Sequence, residues 1–318
     1  MNRGLFDQAD SRTHGETSPG TDAFIMRPRK GPFLRPFDKA PPGKICPQVY
    51  VLAHANGCPY SCDYCYLQLT FRHLDAPTVF SNRHDLLREV RQFLTLDKPM
   101  MLHAGKLSDS LVFDPETALT EDLVPLFDSQ DKHKLLLLTK STNVARLLNL
   151  PKHRHIVVGF SVNAHALAAR FESNAPSPTE RLQAARACQE AGYEVRIRID
   201  PVVPVDGWQE LYRPLVDLIH ERLDCRGLRV TIGNLRYFRQ LPRYARARGA
   251  DASVFDSATW FDRDDGRMRV PPEVRLEMYR WFRGQLASGI HVCPCKESAQ
   301  VWRELGLDPT RPKCTCAL

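Results

Sequence analysis

Three cysteines, Cys58, Cys62 and Cys65, stand within the segment NGCPYSCDYCYLQ in the spacing Cys-x3-Cys-x2-Cys. A structural zinc site closes on four ligands, commonly as two pairs. This trio is one short. Three thiolates can instead hold three irons of a four-iron, four-sulfur cluster, which ordinarily takes four cysteines. The iron without a thiolate then keeps a position open for a non-protein ligand, as a catalytic metal site does. A zinc site or incidental thiols are the plainer readings of the same residues.

A second set lies near the end of the chain: Cys293, Cys295, Cys314 and Cys316, two Cys-x-Cys pairs about twenty residues apart. Four soft thiolates suit zinc, an auxiliary cluster, or capture of a thiophilic substrate such as trivalent arsenic. Redox thiols are a further reading. Cys46, Cys188 and Cys225 stand apart and read as small buried hydrophobes. Bunched cysteines of this kind, behind an N-terminus with no apolar signal segment, argue for a reducing, cytoplasmic setting and metal rather than a disulfide framework.

The elements that must position these residues follow from short apolar runs alternating with helical stretches. Strands are predicted at 49–53, 100–104, 134–139, 155–161, 193–199 and 228–235. Helices are predicted at 83–96, over LTEDLVPLFD and NVARLLNL, over SPTERLQAARACQEAG with its Ser-Pro start and Gly stop, over DGWQELYRPLVDLIHERL, and at 271–286. Six βα units argue for a parallel sheet and are too few for an eight-stranded barrel. The expected fold is α/β, a partial (βα)6 TIM-like barrel. An extended or disordered arm is expected over residues 1–45, where Pro, Gly and charge dominate. The barrel is expected over 46–240 and a Cys-rich C-terminal extension over 241–318. In parallel α/β folds the site lies at the carboxyl ends of the strands. The cysteine loop, Lys106, Asp109, Lys140, Ser161, Asn163 and Asp200 all follow predicted strands.

The cysteine spacing, with Tyr64 just before the last cysteine, resembles the radical S-adenosylmethionine superfamily, whose fold is a (βα)6 partial barrel. The likeness narrows further. CDYCYLQLT, LLTKSTNVARLL, the long stretch from GFSVNAHALAARF to DGWQELY, and NLRYFRQLPRYAR are similar to segments of the spore photoproduct lyase-like subgroup. This resemblance covers roughly residues 48–248. It implies a 4Fe-4S cluster on Cys58, Cys62 and Cys65, with S-adenosylmethionine on the open iron. It places Tyr64 near the adenine and Tyr66 as a radical relay. Lys140 would meet the cofactor's carboxylate, with Ser161, Asn163 and Ser108 also lining the cofactor. Asp109 stays in the catalytic set. One departure stands out. The subgroup carries a hydrogen-donor cysteine just before a Ser-Asp pair. Here the stretch is HAGKLSDS, with Gly105 or Lys106 in that place. An ammonium N–H bond is too strong to give a hydrogen atom as a thiol does, so Lys106 is expected to hold an anionic group instead.

The net charge of +7 permits an anionic partner without demanding one. Arginines and aromatics interleave in RGLRVTIGNLRYFRQLPRYARARG, which suits phosphate contact and base stacking, a small anion, or simply a solvated loop. No apolar run is long enough to span a membrane, and neither a His-based metal site nor a Gly-rich phosphate loop is present. The leading expectation is radical chemistry on a small metabolite or a nucleobase, a small molecule being favoured over nucleic acid, fed by a flavodoxin- or ferredoxin-type electron donor. The alternatives are transfer of the 3-amino-3-carboxypropyl group to a soft acceptor such as arsenite, photoproduct repair on DNA, and a zinc-bearing nucleic-acid-binding protein.

Overall fold

A computed structural model describes residues 24–37, 41–151 and 153–318. The rest of the expected N-terminal arm, residues 1–23 and 38–40, lies outside the described residues. The main sheet has eight strands: β1 Leu34–Phe37, β2 Val49–Leu52, β3 Met101–His103, β4 Lys134–Thr139, β5 Ile156–Val162, β6 Glu194–Val202, β7 Arg229–Asn234 and β8 His291–Pro294. They are hydrogen-bonded in chain order. β2 to β8 run parallel, and β1 adds antiparallel to β2 at one edge. Among the described residues no strand pairing joins β1 to β8, so the barrel is open.

All six predicted strands form. Two edges exceed the expectation. The arm contributes β1, and the Cys-rich extension contributes β8, a seventh parallel strand. HVCP is short, and it carries a cysteine and a proline where a core strand usually shows an apolar run. Its pairing with β7 is what makes it a strand. The sheet therefore runs on past residue 240.

α1 Arg83–Leu94, α2 Leu119–Asp128, α3 Pro178–Glu190, α4 Trp208–Arg222 and α5 Pro272–Gln285 include the main helices of the outer layer. α3 starts as its sequence predicts, with a capping box between Ser177 and Glu180. NVARLLNL gives only one turn, Ala145–Leu148. There Asn143 N bonds to Ser141 Oγ at 3.0 Å, a local turn that competes with the helix, and Pro151 follows.

Period 2 splits each strand between two layers. Val158, Phe160, Ile197, Ile199, Val230 and Ile232 face the helices and form the main core. Val49, Met101, Leu136, Val157 and Cys293 face the concave side. All seven residues of β5 are buried, as expected of a strand covered on both faces.

What covers the concave side is the end of the chain. Cys314, Cys316 and Ala317 pack against that inner apolar layer. Thr315 N donates to Thr231 Oγ1 at 2.7 Å, and its hydroxyl lies 2.8 Å from the same oxygen. Arg196, fully buried, donates to the carbonyls of Thr315 and Ala317. The tail thus stoppers the inside of the barrel. Its open flank is bridged at Ile45 N, which donates to the Glu297 carbonyl at 2.8 Å.

Candidate active site

The cysteine loop follows β2 and lies at the carboxyl ends of the strands. Cys62 is buried, Cys58 and Cys65 half-buried. Ser61 and Cys62 pair antiparallel with Glu172 and Ser173, which fixes the loop against the segment after β5. Gln68 Nε2 donates to the Cys62 carbonyl at 2.6 Å. Burial pushes all three thiols up, and their mutual repulsion adds to it at Cys58. Only a cationic centre placed among them would hold them as thiolates.

Beside the loop lies a polar group built from the ends of β4 and β5 and two helices. Lys140, after β4, sits 3.1 Å from Ser161 Oγ on β5 and 3.6 Å from Glu172. Its ammonium lies 5.7 Å from the centre of the Tyr64 ring. The Tyr64 hydroxyl donates to Glu172. Asn163 Nδ2 reaches the same carboxylate at 3.3 Å, and its Oδ1 accepts from Tyr212 at 2.7 Å. Arg181, wholly buried on α3, pairs with Glu172 at 2.6 Å. Burial alone would raise the Glu172 carboxyl; Lys140 and Arg181 override it and hold it down at about 2. The residues expected to line the cofactor, Tyr64, Lys140, Ser161 and Asn163, therefore meet around one carboxylate that the sequence did not single out. The Ser108 hydroxyl is buried without a protein partner.

Asp109, expected in the catalytic set, has another task. Its carboxylate accepts from the Thr139 hydroxyl and Lys140 N, each at 2.6 Å, and from Leu111 N and Val112 N. It ties the turn after β3 to the end of β4.

A second polar group faces the concave side next to Tyr66. Period 2 puts Arg196, Arg198 and Asp200 of β6 on that face. Asp200 accepts from Arg198 Nε at 3.0 Å and from Arg236 at 3.2 and 3.1 Å. Gly233 makes room for it, since a Cβ there would meet the Asp200 carboxyl carbon at 2.4 Å. Lys106 and Lys296 both stand over the Phe37 ring, at 5.2 and 5.5 Å. Burial and the nearby charges of Arg236, Arg267 and Lys106 press the Lys296 ammonium down to about 8. The charges of Arg267, Arg198 and Arg236 also bear on Tyr66. This is a chamber where Arg198 and Arg236 hold the Asp200 carboxylate and Lys106, Lys296 and Arg267 add further positive charge, and it suits an anionic ligand. The charge-bearing run RIRID in a buried strand was the available signal for Arg198 and Asp200. Cys46 and Arg267 gave none.

The four C-terminal cysteines come together, close enough for Cys316, Cys295 and Cys293 to bear electrostatically on Cys314. Among the described residues, no three His, Cys, Asp or Glu side chains form a group that could hold a metal ion. Three loop thiols without a fourth suit a four-iron, four-sulfur cluster, which leaves one iron open, better than a closed tetrahedral zinc site.

The arginines and aromatics of the arginine-aromatic segment are largely paired, within it or with neighbouring residues. Arg239 lies 3.8 Å from the centre of the Phe261 ring, Arg267 4.7 Å from Phe238, and Arg248 5.8 Å from Tyr244. Arg72 and Arg243 line a shallow depression with Tyr244 beside the cysteine loop's short helix, Tyr66–Thr70.

A family model described as spore photoproduct lyase matches residues 37–237, more than half of the chain. The chain belongs to the spore photoproduct lyase family. It is 28% identical over 177 residues to the spore photoproduct lyase of Geobacillus sp. (strain Y412MC61), covering 55% of this chain and 52% of that one. It is 28% identical over 178 residues to that of Bacillus subtilis (strain 168), covering 55% and 51%. The chain thus spans about half the length of the curated relatives it matches. Solved structures agree on the fold. A spore photoproduct lyase complexed with dinucleoside spore photoproduct superposes with a TM-score of 0.72 at 23% identity, over 85% of this chain and 81% of that one. A mutant spore photoproduct lyase with bound AdoMet and dinucleoside spore photoproduct gives 0.71 at 21%, over 89% and 87%. No helix among the described residues is long and apolar enough to cross a membrane.

Proposed function

We propose that the protein is a radical S-adenosylmethionine enzyme that acts on an anionic substrate of the nucleotide class. One observation carries this reading. The three-cysteine loop, without a fourth ligand, borders both the Lys140–Ser161–Glu172 group and the chamber of Arg198, Arg236, Arg267, Lys106 and Lys296.

Cys58, Cys62 and Cys65 would hold a 4Fe-4S cluster, which supplies the electron that cleaves S-adenosylmethionine. Lys140 would meet a carboxylate, and Glu172, 3.6 Å away, would hold its ammonium in place. Tyr64 offers a ring face. Arg198 and Arg236, fixed by Asp200, would neutralise a phosphate and exclude competing cations. Tyr66 stands between the loop and the chamber. Family membership and the titles of the solved relatives support a photoproduct-like lesion as the substrate. The turn after β3 lacks a thiol, which sets this chain apart from a straightforward repair enzyme of that type. A flavodoxin- or ferredoxin-type protein would supply electrons.

A second reading is aminocarboxypropyl transfer to a soft acceptor. The grouping of Cys46, Cys295 and Cys316 near Lys106 favours it. One experiment separates the two. The cluster is reconstituted without oxygen, S-adenosylmethionine and dithionite are added, and the released nucleoside is identified by mass spectrometry. 5′-Deoxyadenosine supports the first reading, methylthioadenosine the second. Cluster absorbance and cleavage that both survive Cys62→Ala would overturn both.

A further inference from the structure

Cys295 stands at the carboxyl end of β8 on the concave side. Its sulfur lies 3.1 Å from Arg198 Nη2 and 3.6 Å from Arg236 Nη2. The other terminal nitrogen of Arg198, Nη1, is 3.9 Å from Cys316 Sγ. One guanidinium therefore touches two sulfurs, one from β8 and one from the tail. Asp200 holds both arginines in place. Burial pushes the thiols of Cys46, Cys293 and Cys314 up. Cys295 goes the other way: burial raises it, but Arg198 and Arg236 outweigh burial and pull it below the ordinary thiol range. Low-lying, partly exposed thiols in positive surroundings are the reactive ones. Cys295 is half-buried, while Cys316 is buried behind it. Two polar atoms nearby are buried without partners, His103 Nε2 and Arg236 Nε, which marks this as a polar chamber and not packing.

We propose that Cys295 and Cys316 form a redox-active thiol pair inside the chamber, taking a low-molecular-weight disulfide as co-substrate. The Cys295 thiolate attacks one sulfur of the small disulfide. That S–S bond breaks, a mixed disulfide forms on Cys295, and one small thiolate leaves. Cys316, as its thiolate, then attacks the Cys295 sulfur, the second small thiolate leaves, and an intramolecular disulfide remains. Two protein thiols are oxidised and one disulfide is reduced, with the two thiol protons passing to solvent or to the leaving thiolates. In reverse, two molecules of a small thiol reduce the protein disulfide and leave as one small disulfide. The chamber so gains a thiol reductant that the turn after β3 does not supply. The exchange rests on this chain's own residues and needs no cluster.

The full-length chain is reduced, freed of reductant without oxygen, and treated with oxidised glutathione. Remaining thiols are then trapped with iodoacetamide at neutral pH and mapped by peptide mass spectrometry. The expected product is a Cys295–Cys316 disulfide. Cys316→Ser should stop at glutathione on Cys295, and Cys295→Ser should leave Cys316 unmodified. The reduced forms of both variants are first matched to the parent by thermal unfolding. Arg236→Gln, which leaves the tail's contacts intact, should slow Cys295 alkylation several-fold. A disulfide from Cys295 to Cys46 or Cys314, or absence of the mixed disulfide in Cys316→Ser, would overturn the pair. So would alkylation of Cys295 no faster than that of half-buried Cys225. Loss of the cluster in Cys62→Ala bears only on the proposed function, so the two readings fail separately.

Discussion

The Tyr66 hydroxyl donates to the main-chain carbonyl of Lys106. This bond joins the cysteine loop to the turn after β3, and so joins the two halves of the candidate site. Tyr66→Phe keeps the ring and removes the bond. The expected cost in stability is about 1 kcal/mol, the net worth of one hydrogen bond. Cleavage of S-adenosylmethionine should persist, while product formation should fall by more than tenfold. Measuring both in the same assay separates a role past the cleavage step from damage to the cluster.

The turn after β3 accepts a new side chain at one position and refuses it at the next. A Cβ on Gly105 would lie 2.4 Å from the Leu138 carbonyl oxygen and 2.9 Å from Ser110 Oγ. Gly105→Ala should therefore cost about 1–3 kcal/mol or more, as overpacking does. Lys106→Cys should cost no more than the cation–π contact with Phe37, about 0.5–1 kcal/mol. Urea unfolding of the two variants tests this, and a gain of product with Lys106→Cys would show that a thiol works from that side of the chamber.

Lys296 gives the chamber a pH dependence. Burial first, then Arg236, Arg267 and Lys106, bring its ammonium down to about 8. As pH rises through about 8 the chamber loses one positive charge. Affinity for a phosphate-bearing ligand should fall across that range, by up to about tenfold for a loss near 1.4 kcal/mol. Lys296→Met should bind weakly at every pH and flatten the profile. Isothermal titration with a dinucleotide from pH 6.5 to about 9.5 reads both. An unchanged slope in the variant would remove Lys296 from the account.

Glu172 links stability to the site. It is buried against fully buried Arg181, and its carboxyl is held at about 2, below the ordinary value of roughly 4.3. A depressed carboxylate contributes stability above its unfolded value and loses it as pH falls through its folded value. Glu172 therefore stabilises the fold fully above about pH 5, and that contribution drains away toward pH 2. Glu172→Gln leaves Arg181 and Lys140 without their counter-charge, a loss of about 3–5 kcal/mol at neutral pH for a buried pair broken on one side. Its acid-unfolding curve should also be shallower than the parent's. Chemical denaturation at pH 7 and at pH 3 gives the comparison, with a smaller difference expected at pH 3.

The sequence alone determined the order of the parallel strands, because short apolar runs between amphipathic helices leave few other arrangements. It also determined the cysteine loop, because a three-thiol spacing is chemically distinctive over ten residues. It pointed to Tyr64, Lys140, Ser161 and Asn163 through their places after strands and through resemblance. Only the tertiary structure decided what those residues do to one another. Glu172, in a two-residue strand, and Arg181, in a helix, are ordinary letters in the sequence, and they become a buried pair because α3 folds back over β5. The sequence places Asp109 after a strand, and only the structure shows its carboxylate joining the turn after β3 to the end of β4. By composition the C-terminal cysteines read as a metal set, an auxiliary cluster, or substrate or redox thiols. Only the structure shows the tail turning inward, since Arg196 and Thr231 offer buried partners to its backbone, and that brings Cys316 onto the same guanidinium as Cys295. Such pairings join residues 84 to 119 positions apart. Local spacing carries no record of them, because they are fixed by strand register and by the burial of charge.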